Sequence, residues 1–126
     1  MDKILLFIPM YNCETQIVRV LEQFTDEVCC LVSEIIIVNN RSTDRSEEVV
    51  HEYLEKHTIP VKISLFRNDE NYGLGGSHKV AFCYAMKKCF EYVIVLHGDD
   101  QGNIDNILPY LRKKIYANYD YIRMNK

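Results

Sequence analysis

Residues 4–14, ILLFIPMYNCE, set the fold. Ile4 to Ile8 form an unbroken apolar run, too short for the core of a helix and uniform enough to be a strand covered on both faces, as in a parallel sheet. Pro9 closes that strand. Ile17, Val20, Leu21, Phe24 and Val28 then recur at helical spacing, which predicts one helix laying its apolar stripe on the sheet. The remainder of the chain repeats this unit. Glu34 to Val38, EIIIV, is a second buried strand, and Asp44 with Glu47 predicts a capping box at the start of a helix carrying Val49, Val50, Tyr53 and Leu54. Val61 to Phe66 follows Pro60 as a third strand, and the glycine-bearing stretch NYGLGGSHK, residues 71–79, is expected as a loop. Val80, Tyr84 and Ala85 mark a third helix and Tyr92 to Leu96 a fourth strand. A fourth helix carries Ile104, Ile107, Leu108, Leu111 and Ile115, starting near Pro109, and YDYIRM, residues 119–124, is a candidate fifth strand. Strict strand and helix alternation makes the class α/β, with a doubly wound, mostly parallel, Rossmann-like sheet in the order βαβαβαβαβ.

Composition narrows the partners. With 126 residues and 48% hydrophobic content, one domain with its own core is expected. A net charge of −3 argues against a polyanion binder such as a nucleic-acid protein, which needs clustered Lys and Arg, and leaves small anionic ligands open. Five cysteines without a C-x-x-C spacing indicate neither a disulfide framework nor a zinc site, and fit idle thiols in a reducing compartment. No apolar stretch approaches the ~20 residues of a membrane span, and MDKILLFIPMYN is unlike a signal peptide. The expected location is cytoplasmic, with the inner face of the membrane as an alternative; Arg112, Lys113 and Lys114 would suit an anionic surface, but a basic last turn complementing the helix dipole explains them more simply.

In doubly wound sheets, ligands sit beyond the carboxyl ends of the strands. The polar clusters IPMYNCE, NNRSTD, NYGLGGSHK and HGDDQ each follow one strand, so they converge on one crevice. Asp99 and Asp100 offer carboxylates suited to a hard divalent cation, although an acidic turn capping the next helix has the same composition. The glycines of GLGGS let backbone N–H groups approach phosphate or simply make a tight turn. Neither a P-loop nor a G-x-G-x-x-G turn is present. Lys79 suits a phosphate or base oxygen as well as solvent, and His97 and His78 suit either the crevice or a structural hydrogen bond.

Taken in order, these motifs resemble the nucleotide-binding half of a family 2 glycosyltransferase of the GT-A fold. IPMYNCE is similar to the family's I-P-x-Y-N-E-E, VNNRSTD to V-D-D-x-S-x-D, NYGLGGSHKVAFCYA to its N-x-G helix start, and HGDDQ to D-x-D-x-Q; together they span essentially the whole chain. The resemblance implies transfer of a sugar from a nucleotide-diphosphate sugar to an unknown acceptor, saccharide or lipid-linked, with Mg²⁺ or Mn²⁺ on the diphosphate. It implies that Pro9, Tyr11, Asn12 and Glu14 shape the nucleoside pocket, that Asn39 and Asn40 face the base or ribose, and that Ser42, Gly75, Lys79 and His97 complete the nucleotide-sugar set. Aligning Gln101 with the family's glutamine puts Asp99 on the metal-holding aspartate and His97 on the first acid of D-x-D, and leaves Asp100 as a helix cap. Asn39 and Asn40 stand where the family has aspartates. The resemblance also implies that the chain stops before the acceptor-binding half and its general base, which a partner chain or a longer native protein would supply. A non-catalytic nucleotide-sugar binder is the alternative. A receiver-like signalling module fails on order, because its acidic pair should follow the first strand, and a sugar nucleotidyltransferase would open with a Gly- and Arg-rich loop.

Overall fold

The computed structural model describes residues 3–100, 102–106 and 108–112. Strands β1 (Ile4–Met10), β2 (Glu34–Asn39), β3 (Lys62–Arg67) and β4 (Tyr92–Val95) form a four-stranded sheet in the order β3-β2-β1-β4. Every pairing is parallel, with Met10 opposite Asn39, Asn39 opposite Arg67, and Phe7 opposite Val95. The two central strands are buried along their whole length, while β3 and β4, at the two ends of the strand order, are partly covered.

Alternate residues of the central strands feed two separate cores. Leu6, Ile8, Ile35 and Ile37 face α1 (Ile17–Leu21), α2 (Asp26–Leu31), α3 (Ser46–Lys56) and α5 (Leu108–Arg112). Leu5, Phe7, Ile36 and Val38 face α4 (Gly73–Lys87) through Ala81 and Ala85. Helices therefore cover both faces, and the chain reverses direction across the sheet between β1 and β4. That reversal is the switch point at which open α/β sheets bind ligands.

Four local expectations are corrected. The helix expected through Ile17 and Val28 is two helices. Thr25 Oγ1 accepts from the Val28 N–H at 3.4 Å, and Asp26 and Glu27 occupy the first turn of α2, so the sequence restarts a helix there. The apolar spacing carried across the break because Phe24 and Val28 enter the same core. The capping box at Asp44 and Glu47 does not form: α3 starts at Ser46, and the Glu47 carboxylate turns to Arg67 and Asn39. The glycine stretch is not a loop throughout. Gly73 (φ +75°) opens α4, and Gly75 and Gly76 lie in its first turns; a Cβ at Gly76 would collide with the Tyr72 side chain. Finally, Ile104 lies in a 3₁₀ turn (Ile104–Asn106) and not in the fourth helix, α5, whose start at Leu108 is next to the expected Pro109. Ile107, Ile115 and the candidate fifth strand at 119–124 lie outside the described residues.

Candidate nucleotide site

The carboxyl ends of β1 and β2 are joined into one rim by backbone N–H groups of the first loop donating to side chains of the second. Asn12 N–H donates to Ser42 Oγ (3.0 Å), Cys13 N–H to Ser46 Oγ (2.7 Å) and Glu14 N–H to Asp44 Oδ2 (3.2 Å). Asn12, at φ 51°, returns the connection, its Oδ1 accepting from Thr43 N–H, Thr43 Oγ1 and Asp44 N–H. Asp44 is the hub: its other oxygen accepts from the Ser46 N–H at 2.9 Å and from the Ser46 hydroxyl. Burial by itself would raise the Asp44 carboxyl, but these hydrogen bonds outweigh it and hold the group below its ordinary range. The sequence marks Asp44 as a helix start and as part of the VNNRSTD stretch, without a hub role. Its place as the last residue of the V-N-N-R-S-T-D motif was the signal.

Asn39 and Asn40 lie beneath that rim, only 3% and 6% exposed. Asn39 Oδ1 accepts from Ser42 N–H (3.0 Å) and Ser42 Oγ (2.7 Å), while Nδ2 donates to Glu47 Oε1 (3.2 Å). Asn40 Oδ1 accepts from Asn68 Nδ2 (2.9 Å) and Tyr72 N–H (2.8 Å), while Nδ2 donates to Asn71 Oδ1 (2.8 Å). Asn68 also donates to Ser77 Oγ (3.2 Å), so a run of amides ties β2 and β3 to the first turns of α4. Asn68, Asn71 and Ser77 were not picked out from sequence. Glu47 is held low by hydrogen bonding to Arg67, which dominates over burial and is helped by Asn39.

On the other side of the switch point, the HGDD turn docks on the end of β1. Leu96 N–H donates to Phe7 O (2.9 Å) and Gly98 N–H to Pro9 O (3.0 Å), which extends the β1–β4 ladder past the strand. Gly98 is buried there; a Cβ would stand 3.1 Å from Pro9 O and 3.3 Å from Ile17 Cδ1. This approach leaves Asp99 exposed at the crevice while Asp100, at φ 64°, ion-pairs with Arg19 at 2.8 Å. The expected cap role of Asp100 is corrected, because the helix it was to start, α5, begins only at Leu108. Arg112 forms a bidentate ion pair with Glu27 at 2.5 and 2.7 Å, which ties α5 to α2.

The remaining predicted residues differ in exposure. Tyr11 is 46% exposed, Glu14 and His97 are half-buried, and Gly75 and Lys79 occupy one exposed side of α4 at a four-residue spacing. The His97 ring is 6.3 Å from that of His78, whose Nδ1 lies 2.8 Å from Leu74 O and whose ring meets Phe7 edge-on at 5.2 Å. Burial pushes the Cys13 thiol up, against the hydrogen bond it donates to Tyr11 O and with smaller help from the carboxylates of Asp99 and Asp44. Among the described residues no group of three or more His, Cys, Asp or Glu side chains is arranged to hold a metal, and no helix is long and apolar enough to cross a membrane.

An all-parallel sheet with its polar loops gathered at the switch point defines a Rossmann-like α/β protein. Residues 6–124 match the model of glycosyl transferase family 2, and the chain belongs to that family. Among curated proteins, no sequence match is significant. Among solved structures, the fold is similar to S. aureus TarS 1-349, with a TM-score of 0.65 and 24% identity over 91% of this chain and 31% of that one. The same fragment in complex with UDP gives 0.65 and 22% over 88% and 32%, and in complex with UDP-GlcNAc 0.65 and 24% over 91% and 30%. The chain thus spans about a third of these TarS structures.

Proposed function

We propose that this chain is the donor-binding part of a glycosyltransferase that moves a sugar from a nucleoside diphosphate sugar to an acceptor hydroxyl. The observation that carries the reading is Asp99: an exposed carboxylate just past the end of β4, in a chain of this family. UDP and UDP-GlcNAc, the ligands in the TarS complexes, are the first nucleotides to test. Tyr11, Asn12 and Glu14 would bound the nucleoside, with Pro9 and Ser42 fixing their backbone. Gly75, Lys79 and His97 would line the diphosphate and sugar.

A carboxylate at this position suits Mg²⁺ or Mn²⁺, which bind through one or two carboxylates and otherwise through phosphate and water oxygens. Asp99 would hold the ion, and its chemistry would be Lewis-acid stabilisation of charge on the departing diphosphate. The bond from the sugar's anomeric carbon to the β-phosphate oxygen breaks as the acceptor oxygen bonds to that carbon. The acceptor's proton passes to a base in the acceptor-binding part of the enzyme. Lys79 would add positive charge near the leaving group, and His97, less negative than a second acid, would weaken metal binding relative to a D-x-D pair.

Thermal unfolding with UDP and Mn²⁺ or EDTA tests this. Ligand at a hundredfold over Kd should stabilise the fold by about 2.7 kcal/mol. The shift should vanish with EDTA and in Asp99→Asn but survive Asp100→Asn. Equal loss in both variants would contradict the assignment of the metal to Asp99.

A further inference from the structure

The Asn39 and Asn40 side chains, beneath the crevice, have no acceptor capacity left for a nucleobase. An amide oxygen has two lone pairs. Both of those on Asn39 are taken by Ser42, and both of those on Asn40 by Asn68 and the Tyr72 N–H. Each NH₂ group also spends one of its two N–H donors on a protein acceptor, Glu47 for Asn39 and Asn71 for Asn40, and the N–H that is left can serve a base carbonyl, which uracil, guanine, cytosine and thymine all carry. To read a base N–H, either oxygen would have to give up a buried partner. Leaving such a group unpaired costs about 1–3 kcal/mol, comparable to what one new hydrogen bond to a base returns.

The identity of these residues fits the task. An aspartate at 39 would put its carboxylate against that of Glu47, and one at 40 would face Asn71 Oδ1 without a proton to donate. Amides complete both contacts. We infer that Asn39 and Asn40 are positioning residues rather than base readers, and that the pocket takes nucleoside diphosphates with little regard to the base. Asn39 fixes Ser42, and through it the Asn12 N–H, on the nucleoside side; Asn40 fixes the first turns of α4, which carry Gly75 and lead to Lys79. The inference rests on the donor-site reading and adds the breadth of nucleotides that site accepts.

Calorimetric titration of the chain with UDP, GDP, CDP and dTDP, all with Mn²⁺, tests it. The expected result is dissociation constants within tenfold of one another. Asn39→Ala should weaken all four by a similar factor, and Asn40→Ala likewise, which separates positioning from reading of one base. A tenfold or greater preference for any one base overturns the inference even though the donor-site reading stands. Binding of none of the four overturns both.

Discussion

The two sides of the crevice are built differently. The β1–β2 side is a network in which backbone N–H groups of one loop end on Ser42, Asp44 and Ser46 of the other, and buried amides lie beneath it. The β4 side is held by two ladder bonds, the close approach of Gly98, and an ion pair whose Arg19 side chain is 59% exposed. A nucleoside has a fixed shape and profits from a preset wall. A metal–diphosphate group completes its own coordination, so its carboxylate needs position more than enclosure.

That contrast ranks the effects of mutation. The largest is expected for Asp44→Ala, which leaves the Glu14 and Ser46 N–H groups without their acceptor and should cost about 3 kcal/mol in chemical denaturation. The effect has a pH signature. Asp44 and Glu47 are both held below their ordinary values, so they stabilise the fold above an unfolded pKa of about 4, and that stabilisation is lost as pH falls through their lower folded values. Asp44→Asn should flatten the acid limb of a Tm-versus-pH curve; an unchanged limb would remove Asp44 as the hub.

Gly98→Ala should come next, at about 2 kcal/mol, because the new methyl must displace Pro9 O or Ile17. It should also weaken Mn²⁺-dependent UDP binding at least tenfold by moving Asp99, whereas undisturbed binding would show that the HGDD turn is not positioned by this contact. Arg19→Ala should do least, under about 1 kcal/mol and less in high salt, since the ion pair is at the surface. A loss as large as that of Asp44→Ala would erase the difference between the two sides.

Much of this was legible in the sequence, for identifiable reasons. ILLFI and EIIIV could only be strands covered on both faces, and their order with the intervening amphipathic stretches dictated a parallel sheet with polar loops at one end. The motif order pointed to the family that residues 6–124 match. Less legible was anything that depended on which partner a side chain finds. Thr25 restarts a helix inside a continuous apolar rhythm, and Glu47 abandons a local cap for Arg67, twenty residues away.

Sequence by itself therefore determined the strands, their parallel arrangement, the family, and the four loops that meet at the switch point, because apolar periodicity and motif spacing are local properties of the chain. Only the tertiary structure decided which side chains tie those loops to one another. Asn12, Asn39, Asn40 and Ser42 look like ligand-binding groups in a line of letters. In the fold Asn12, Ser42 and Asn39 hold one another, and Asn40 holds Asn68, Asn71 and the Tyr72 N–H, because a buried polar atom must find a partner.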